Sequence, residues 1–123
     1  MGGFICVEDE SRASGIRVNT TDQRQLGDRI SASGILTIAP NGELQLDQAT
    51  TIFRSYSDLP LALGMNNRSL GGGAFGLQAG VSGGVGLNNI GLLVKAWGRV
   101  TEVDPVSPPA WFKIDDGSGR GIK

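Results

Sequence analysis

The chain has no histidine and only one cysteine, and these two shortages remove most of the side chains that catalysis and metal binding use. Without histidine there is no imidazole general base, no Ser-His or Cys-His nucleophile pair and no imidazole metal ligand. A single cysteine, Cys6, permits neither an internal disulfide nor a zinc finger, and its position between Ile5 and Val7 indicates a small buried hydrophobic residue. We therefore predict a protein that is not an enzyme, with no catalytic residues, no cofactor and no bound metal.

The chain also has little net charge, few aromatic residues and no long apolar run. The net charge is −1 and aromatic residues make up 6% of the chain, so nucleic-acid binding would require a local basic patch. No apolar stretch approaches the roughly 20 residues of a membrane-spanning helix, and the start of the chain lacks the pattern of a signal peptide. We expect no membrane contact, and the sequence leaves the compartment open, secretion of the native protein included.

The end of the chain repeats its beginning. The run Trp111–Asp116 aligns with Phe4–Asp9, 107 positions earlier, and Gly121–Lys123 aligns with Gly15–Arg17 once one residue is skipped. A period of this length is about one small domain, which predicts that the chain passes through one repeat and enters the next.

Alternation of apolar and polar residues predicts an all-β protein made of short strands, because no segment has strong helical periodicity. The expected features are a hairpin of Phe4–Val7 with Gly15–Val18, a half-buried strand over 29–38 that bends at Gly34, a tight turn at Pro40–Gly42, a strand over 43–47, a later strand within 92–103 with Gly98 at its middle, and a last strand over 111–114.

A glycine-rich segment separates the two halves. Eight of the sixteen residues in 71–86 are glycine, yet apolar residues such as Phe75 and Val85 recur too often for a plain flexible linker. We interpret 52–90 as an ordered insertion with room for one short helix.

Several of these segments carry a resemblance to a known fold family. The strand over 94–100 with its central glycine, the apolar run Phe112–Asp116 and the Gly117-Ser118-Gly119 turn resemble strands one to three of nucleic-acid-binding OB-fold domains. The segment 27–34 resembles strand four, and 43–48 would be strand five. The chain is also similar to repeated modules, of unassigned function, in large bacterial proteins. OB-folds bind oligonucleotides, oligosaccharides and proteins, so the resemblance implies a fold more than a ligand.

In this assignment the strands occur in a circularly permuted order. The first module begins at strand two and the second ends within strand three, so each is incomplete and has open edges. We expect one domain over 1–123, with strand segments 4–18, 28–49 and 92–123. These would form a small five-stranded barrel, closed either by joining 92–123 to 27–48 within one chain or by strand exchange between chains.

The alternation of side chains between the two faces of the later strands identifies the candidate binding residues. Lys95, Trp97 and Arg99 share one face, which gives an aromatic ring flanked by two cations, the arrangement that single-stranded nucleic acid requires. The alternative is that Trp97 packs under the glycine-rich segment and the cations are solvated. Trp111 and Lys113 add a second aromatic and cation. The acidic groups at 8–10 and 115–116 fit polar turns better than a calcium loop.

The sequence therefore leaves two functions in competition. The first is a non-catalytic binding module, one unit of a larger repeated protein, that contacts protein or polysaccharide and self-associates by strand exchange. The second is single-stranded nucleic-acid binding through Trp97 with Lys95 and Arg99. We favour the first, because the balanced charge falls short of the basic surface expected of a nucleic-acid binder.

Overall fold

The computed structural model describes residues 3–123, and its regular elements are β-strands plus one 3-10 turn over Asn67–Ser69. The all-β prediction is confirmed, and that single turn is all that forms where a short helix had room. No helix among the described residues has the length and apolarity to cross a membrane. The strands are β1 (Gly3–Glu8), β2 (Gly15–Thr20), β3 (Asp28–Ile38), β4 (Leu44–Tyr56), β5 (Leu63–Gly64), β6 (Val94–Lys95), β7 (Arg99–Val103), β8 (Phe112–Asp115) and β9 (Gly121–Ile122).

The largest sheet contains four strands in the order β1-β2-β4-β3. Strand β2 pairs with β1 in antiparallel fashion and with β4 in parallel fashion, and β3 is antiparallel to β4. This register aligns apolar residues in rows across the sheet, because residues directly opposite each other point to the same face. One row is Ile5, Val18, Leu46 and Leu36, and a second contains Val7 with Ile16 and Leu44 with Ile38.

Strands β3 and β4 contain the bend and the turn that the sequence predicts. The register shifts between Ser33 and Ile35, so Gly34 lies at a bulge, and a Cβ there would come within 2.6 Å of the Asp47 backbone oxygen. The turn after Ile38 is closed by the Gly42 N–H, which donates to the Ala39 oxygen. Gly42 has a φ of 86°, a conformation that suits glycine. Strand β4 then continues to Tyr56, past the expected start of the insertion at residue 52.

The strand expected within 92–103 forms in two pieces rather than one. Strand β6 pairs in parallel with β5, whereas β7 joins β8 and β9 in a separate three-stranded antiparallel sheet. The break lies at Ala96–Gly98. A Cβ on Gly98 would meet the Asp115 backbone at 2.8 Å, so glycine allows the chain to approach β8 closely where it changes sheets.

The sequence repeat is also a structural repeat. Val7 lies opposite Ile16 and Glu8 opposite Gly15 in the first hairpin, and the aligned residues form the same pairs in the second, Ile114 with Ile122 and Asp115 with Gly121. A cation lies over an aromatic ring in both copies. Arg17 is 3.9 Å from the centroid of Phe4, and Lys123 is 3.6 Å from the centroid of Trp111. Strands β8 and β9 are therefore a second copy of β1 and β2.

The three sheets do not close into a barrel. Within residues 3–123, the sheet β7-β8-β9 shares no strand pairing with β3 or β4, so the expected joining of 92–123 to 27–48 within one chain is not formed. Strand β2 already occupies the edge of β4 that β9, its copy, would need. Because only one strand can pair with a given edge, the first copy of the hairpin excludes the second.

Candidate interaction surface

The apolar face of the four-stranded sheet is covered at its centre and open at its β3 side. Val18 on β2 is fully buried, whereas Leu36 is 53% exposed and Ile38 is 62% exposed. Ile5, Val7, Leu44 and Leu46 lie between these extremes. Apolar side chains in aligned rows are typical of a face that packs against another layer. The apolar side chains of β3 in these rows are therefore largely exposed to solvent.

The total surface of the chain is large for its mass. A folded monomer of this mass exposes about 6,300 Å² by the usual scaling, whereas this chain exposes 8352 Å². The surplus of roughly 2,000 Å² is more than twice the ~800 Å² that each partner buries in a standard protein interface. Val18 and Ala49 are the buried hydrophobic residues of the described chain. The chain therefore leaves exposed an area that corresponds to at least one protein interface.

A shallow apolar groove of about 640 Å³ lies on the C-terminal sheet. Trp111 and Ile122 form part of its lining, with the Lys123 ammonium placed over the Trp111 ring. Phe112, also in the lining, is 57% exposed. The remaining lining residues are Val103, Pro109, Ala110 and Ile114. Trp111 is thus a half-buried wall of an apolar groove, and its ring face is already covered by a cation.

The three residues predicted as a stacking platform lie where β6 gives way to β7. Lys95 ends β6, Arg99 begins β7, and both are exposed. Trp97 lies between them with 54% of its surface exposed. A Cβ on Gly64 would approach its ring at 3.8 Å, so one part of the ring lies beside β5 while the rest is open. Among residues 3–123, neither cation takes part in an ion pair.

Lys113, the remaining predicted site residue, is half-buried on β8 opposite Glu102 of β7. Its methylene groups fill the space beside Gly121, where a Cβ would come within 2.6 Å of the Lys113 Cε atom. Within the described chain, no side-chain hydrogen bond or cation–π contact links Lys113 or Trp111 to Lys95, Trp97 or Arg99. Lys95 and Trp97 thus precede the C-terminal sheet, whereas Arg99 and Lys113 lie on its paired strands β7 and β8 and Trp111 immediately precedes β8.

Cys6 is exposed, which corrects the expectation that it is a buried hydrophobic residue. It lies opposite Arg17 in the register and so shares the polar face of the sheet, and β1 is an edge strand. Partial desolvation, together with the nearby Glu43 carboxylate, raises the pKa of its thiol, and Arg17 opposes this effect. An edge strand has one neighbour instead of two, which is why Cys6 remains accessible.

The polar face of the same sheet satisfies its own hydrogen bonds. Asp47 accepts hydrogen bonds from Asn19 at 2.5 Å, from Thr37 at 2.7 Å and from Gln45. These donors, Asn19 first and Thr37 second, hold the pKa of Asp47 below its ordinary value. Groups that already bond to one another have less capacity left for the hydroxyls of a sugar.

A buried asparagine anchors the glycine-rich segment to the second hairpin, and sequence reasoning did not find it. Asn67 is fully buried, and its side-chain amide donates to the backbone oxygens of Ile114 and Arg120. Its backbone N–H donates to the Asp116 carboxylate at 2.7 Å. Asp116 also accepts from the Ser118 N–H, as a polar-turn residue does. The paired asparagines at 66–67 were the available signal.

Side-chain amides also organise the glycine-rich segment itself. Asn89 accepts from the Gly71 N–H and donates to the Ser69 oxygen, and Asn88 donates to the Gly73 oxygen. Gln78 is 4% exposed and accepts from the Leu44 N–H at the start of β4. These bonds take the place of a strand ladder in this segment.

Comparison of the chain with protein-family models, with curated proteins and with solved structures finds no match.

The Asp116 anchor makes the stability of the chain depend on pH. The Ser118 side chain beside it, together with hydrogen bonds from the Asn67 N–H and the Ser118 N–H, holds the Asp116 pKa below its ordinary value of 3.8. A carboxylate with a lowered folded-state pKa stabilises the fold above that ordinary value, and the stabilisation disappears as the pH falls through the folded-state pKa. We expect Asp116→Asn to lower the urea midpoint at pH 7 and to have a much smaller effect at strongly acidic pH.

The urea midpoints can be followed by tryptophan fluorescence, since Trp111 immediately precedes β8. Asp58→Asn, in the exposed stretch after β4, is the matched control and should leave both midpoints unchanged. An Asp116→Asn effect of equal size at both pH values would contradict the assigned role of the carboxylate.

Proposed function

We propose that this chain is a non-catalytic interaction module of OB-fold type, one unit of a larger repeated protein, which binds protein surfaces and self-associates through its open sheets. The uncovered apolar face at β3, with Leu36 and Ile38 more than half exposed, is the observation that carries this proposal. Contiguous apolar surface rimmed by polar residues is typical of protein interaction sites.

The strand pairing supports the OB-fold assignment. On that assignment β1, β2, β3 and β4 correspond to strands two, three, four and five, and β7, β8 and β9 to strands one, two and three of the next unit. The parallel contact of β2 with β4 then joins strands three and five, as the Greek-key barrel requires. A complete barrel would bring a β7-β8-β9 sheet against β3 and β4, which strand exchange between chains supplies.

Protein partners suit this surface better than polysaccharide. Sugar binding relies on free hydrogen-bonding groups beside aromatic faces, and the polar groups around Asp47 bond to one another. The aromatic ring of Trp111 is stacked against Lys123. The exposed apolar side chains of β3, by contrast, gain free energy on burial, because removal of apolar surface from water is favourable.

Sedimentation velocity over a range of protein concentrations tests the proposal. We expect reversible association of the full chain that persists at high salt, because burial of apolar surface is not screened by ions. Ile38→Lys places a charge in the exposed apolar row and should weaken association by roughly tenfold or more, since an unpaired charge is costly to bury.

Thr50→Lys is the matched control, because Thr50 is an exposed position of β4 outside the apolar rows. It should associate like the unmodified chain. A chain that remains monomeric at all concentrations, or that responds equally to both substitutions, would rule out association through the apolar face.

The second candidate, single-stranded nucleic-acid binding, is favoured by one observation. Trp97 is 54% exposed between Lys95 and Arg99, neither of which forms an ion pair among residues 3–123. Stacking on an exposed ring with two adjacent cations is the minimum that such binding needs.

Quenching of tryptophan fluorescence by mixed-sequence single-stranded DNA distinguishes the two functions. If the second candidate is right, quenching weakens with salt, and Lys95→Gln reduces the slope of log affinity against log salt by about one. Arg68→Gln, an exposed cation on the 3-10 turn, should leave the slope unchanged. Absence of quenching at low salt would eliminate this candidate and leave the interaction module.

A further inference from the structure

The outer edge of β1 has no partner strand, whereas β8, the copy of β1, is paired on both edges within residues 3–123. Strand β1 ends the order β1-β2-β4-β3, so within residues 3–123 it pairs with β2 alone. Its copy β8 lies between β7 and β9. Since β9 corresponds to β2, the free edge of β1 corresponds to the edge of β8 that β7 covers. The chain itself therefore shows which strand fits this edge.

We propose that the outer edge of β1 is a strand-acceptor site, and that its occupant is the β7 strand, Arg99–Val103, of a second copy of this chain. The inference rests on the proposed interaction module and names its partner. Transfer of the β7–β8 register onto β1 places Arg99 opposite Glu8 and Val100 opposite Val7. It also places Glu102 opposite Cys6 and Val103 opposite Ile5.

The side chains of β1 suit this occupant. Arg99 lies opposite an acidic residue in both settings, Asp115 on β8 and Glu8 on β1. Val100 lies opposite a β-branched residue in both, Ile114 or Val7. Opposite charges and β-branched residues are both favourable as cross-strand neighbours in antiparallel sheets. Glu8 already pairs with Arg12 and accepts from the Leu93 N–H, so the pair that the acceptor edge preserves without rearrangement is the apolar one, Val100 with Val7.

The other two pairs differ, because Val103 faces Phe112 on β8 but would face Ile5 on β1, and the pair of Glu102 sets a preference between the two edges. Glu102 faces Lys113 on β8 but would face Cys6 on β1. Loss of this opposite-charge pair makes β1 the weaker acceptor, so β7 remains on β8 within its own chain. The edge of β7 that pairs with β8 is the edge that would pair with β1, so β7 of a second copy occupies this site only when it is released from its own β8. The site therefore accepts strands in trans.

The edge is accessible to an incoming strand. Cys6 is exposed, and Phe4 is 55% exposed despite its contact with Arg17. The Gly91–Leu93 segment touches the far end of the hairpin, where the Leu93 N–H donates to the Glu8 side chain, but it forms no strand with β1. Unpaired strand edges of this kind bind extended peptides by adding a strand to the sheet.

Disulfide trapping with a synthetic peptide tests the register directly. The peptide spans residues 92–103 and carries Glu102→Cys, and the protein is the full chain, in which Cys6 is the single cysteine. Directly opposite residues of an antiparallel pair have Cα atoms about 4.5–5.5 Å apart, within the range that a disulfide spans. We expect the mixed disulfide with Cys6 to form at least ~10-fold faster than with a Val103→Cys peptide, whose thiol points to the opposite face.

Two controls keep the result specific. Cys6→Ser in the protein must abolish trapping. An excess of unmodified 92–103 peptide should suppress trapping, whereas a Val100→Lys peptide should compete at least ~10-fold less well, because its charge would face Val7.

Equal trapping rates for the two cysteine peptides, or no trapping by either, would overturn the proposed site. Either result leaves the sedimentation test of the interaction module independent, because association through Ile38 does not require the β1 edge. If the chain associates but shows no register-specific trapping, the interaction module is supported and the assignment of β7 to the β1 edge is wrong.

Discussion

Two copies of one hairpin and a single acceptor edge on β4 determine most of this structure. Strand β2 takes that edge through its parallel pairing, with Val18 opposite Leu46, and Val18 becomes the fully buried residue at the centre of the sheet. Its copy β9 is left with β8 alone. Because the second hairpin cannot enter the first sheet, the chain divides into separate sheets, and the apolar rows at β3 stay uncovered.

The same constraint connects the fold to its proposed function. On the proposed OB-fold assignment, a chain that closed a barrel by itself would bury Leu36 and Ile38 and would expose less than the 8352 Å² of this chain. Division into sheets instead leaves an apolar face on one half and an apolar groove beside Trp111 on the other. The Asn67–Asp116 anchor fixes the glycine-rich segment to the second hairpin, so the surplus area belongs to an ordered surface and not to a loose chain. Exposed apolar side chains such as Leu36 and Ile38 favour contact with partners over contact with solvent.

Local patterns predicted the local structure well. The hairpin of β1 and β2, the bulge at Gly34 and the turn at Gly42 follow from alternation and from glycine's backbone freedom, which are properties of neighbouring residues. The repeat predicted that the chain enters a second unit, and β8 with β9 is a second copy of the first hairpin. The fold class followed from the absence of helical periodicity.

Features that depend on distant partners escaped prediction. The break at Ala96–Gly98 arises because β6 pairs with β5 and β7 with β8, a choice that parity along one strand does not reveal. Cys6 is exposed because β1 is an edge strand, although its apolar neighbours suggested burial. The break at 96–98 places Lys95 at the end of β6, Trp97 in the connection and Arg99 on β7, so the single strand that would give them one shared face is not formed, and Arg99 lies in the same sheet as Lys113.

Amide hydrogen exchange in dilute solution tests the central claim, which is that β1 has an open edge and its copy β8 does not. If the outer edge of β1 is open, alternate amides of 3–8, those directed away from β2, exchange rapidly with solvent. The amides on both edges of 112–115 are then protected. Equal protection along both edges of β1 and β8 would mean that the β1 edge is already covered. That result would contradict the open edge of β1.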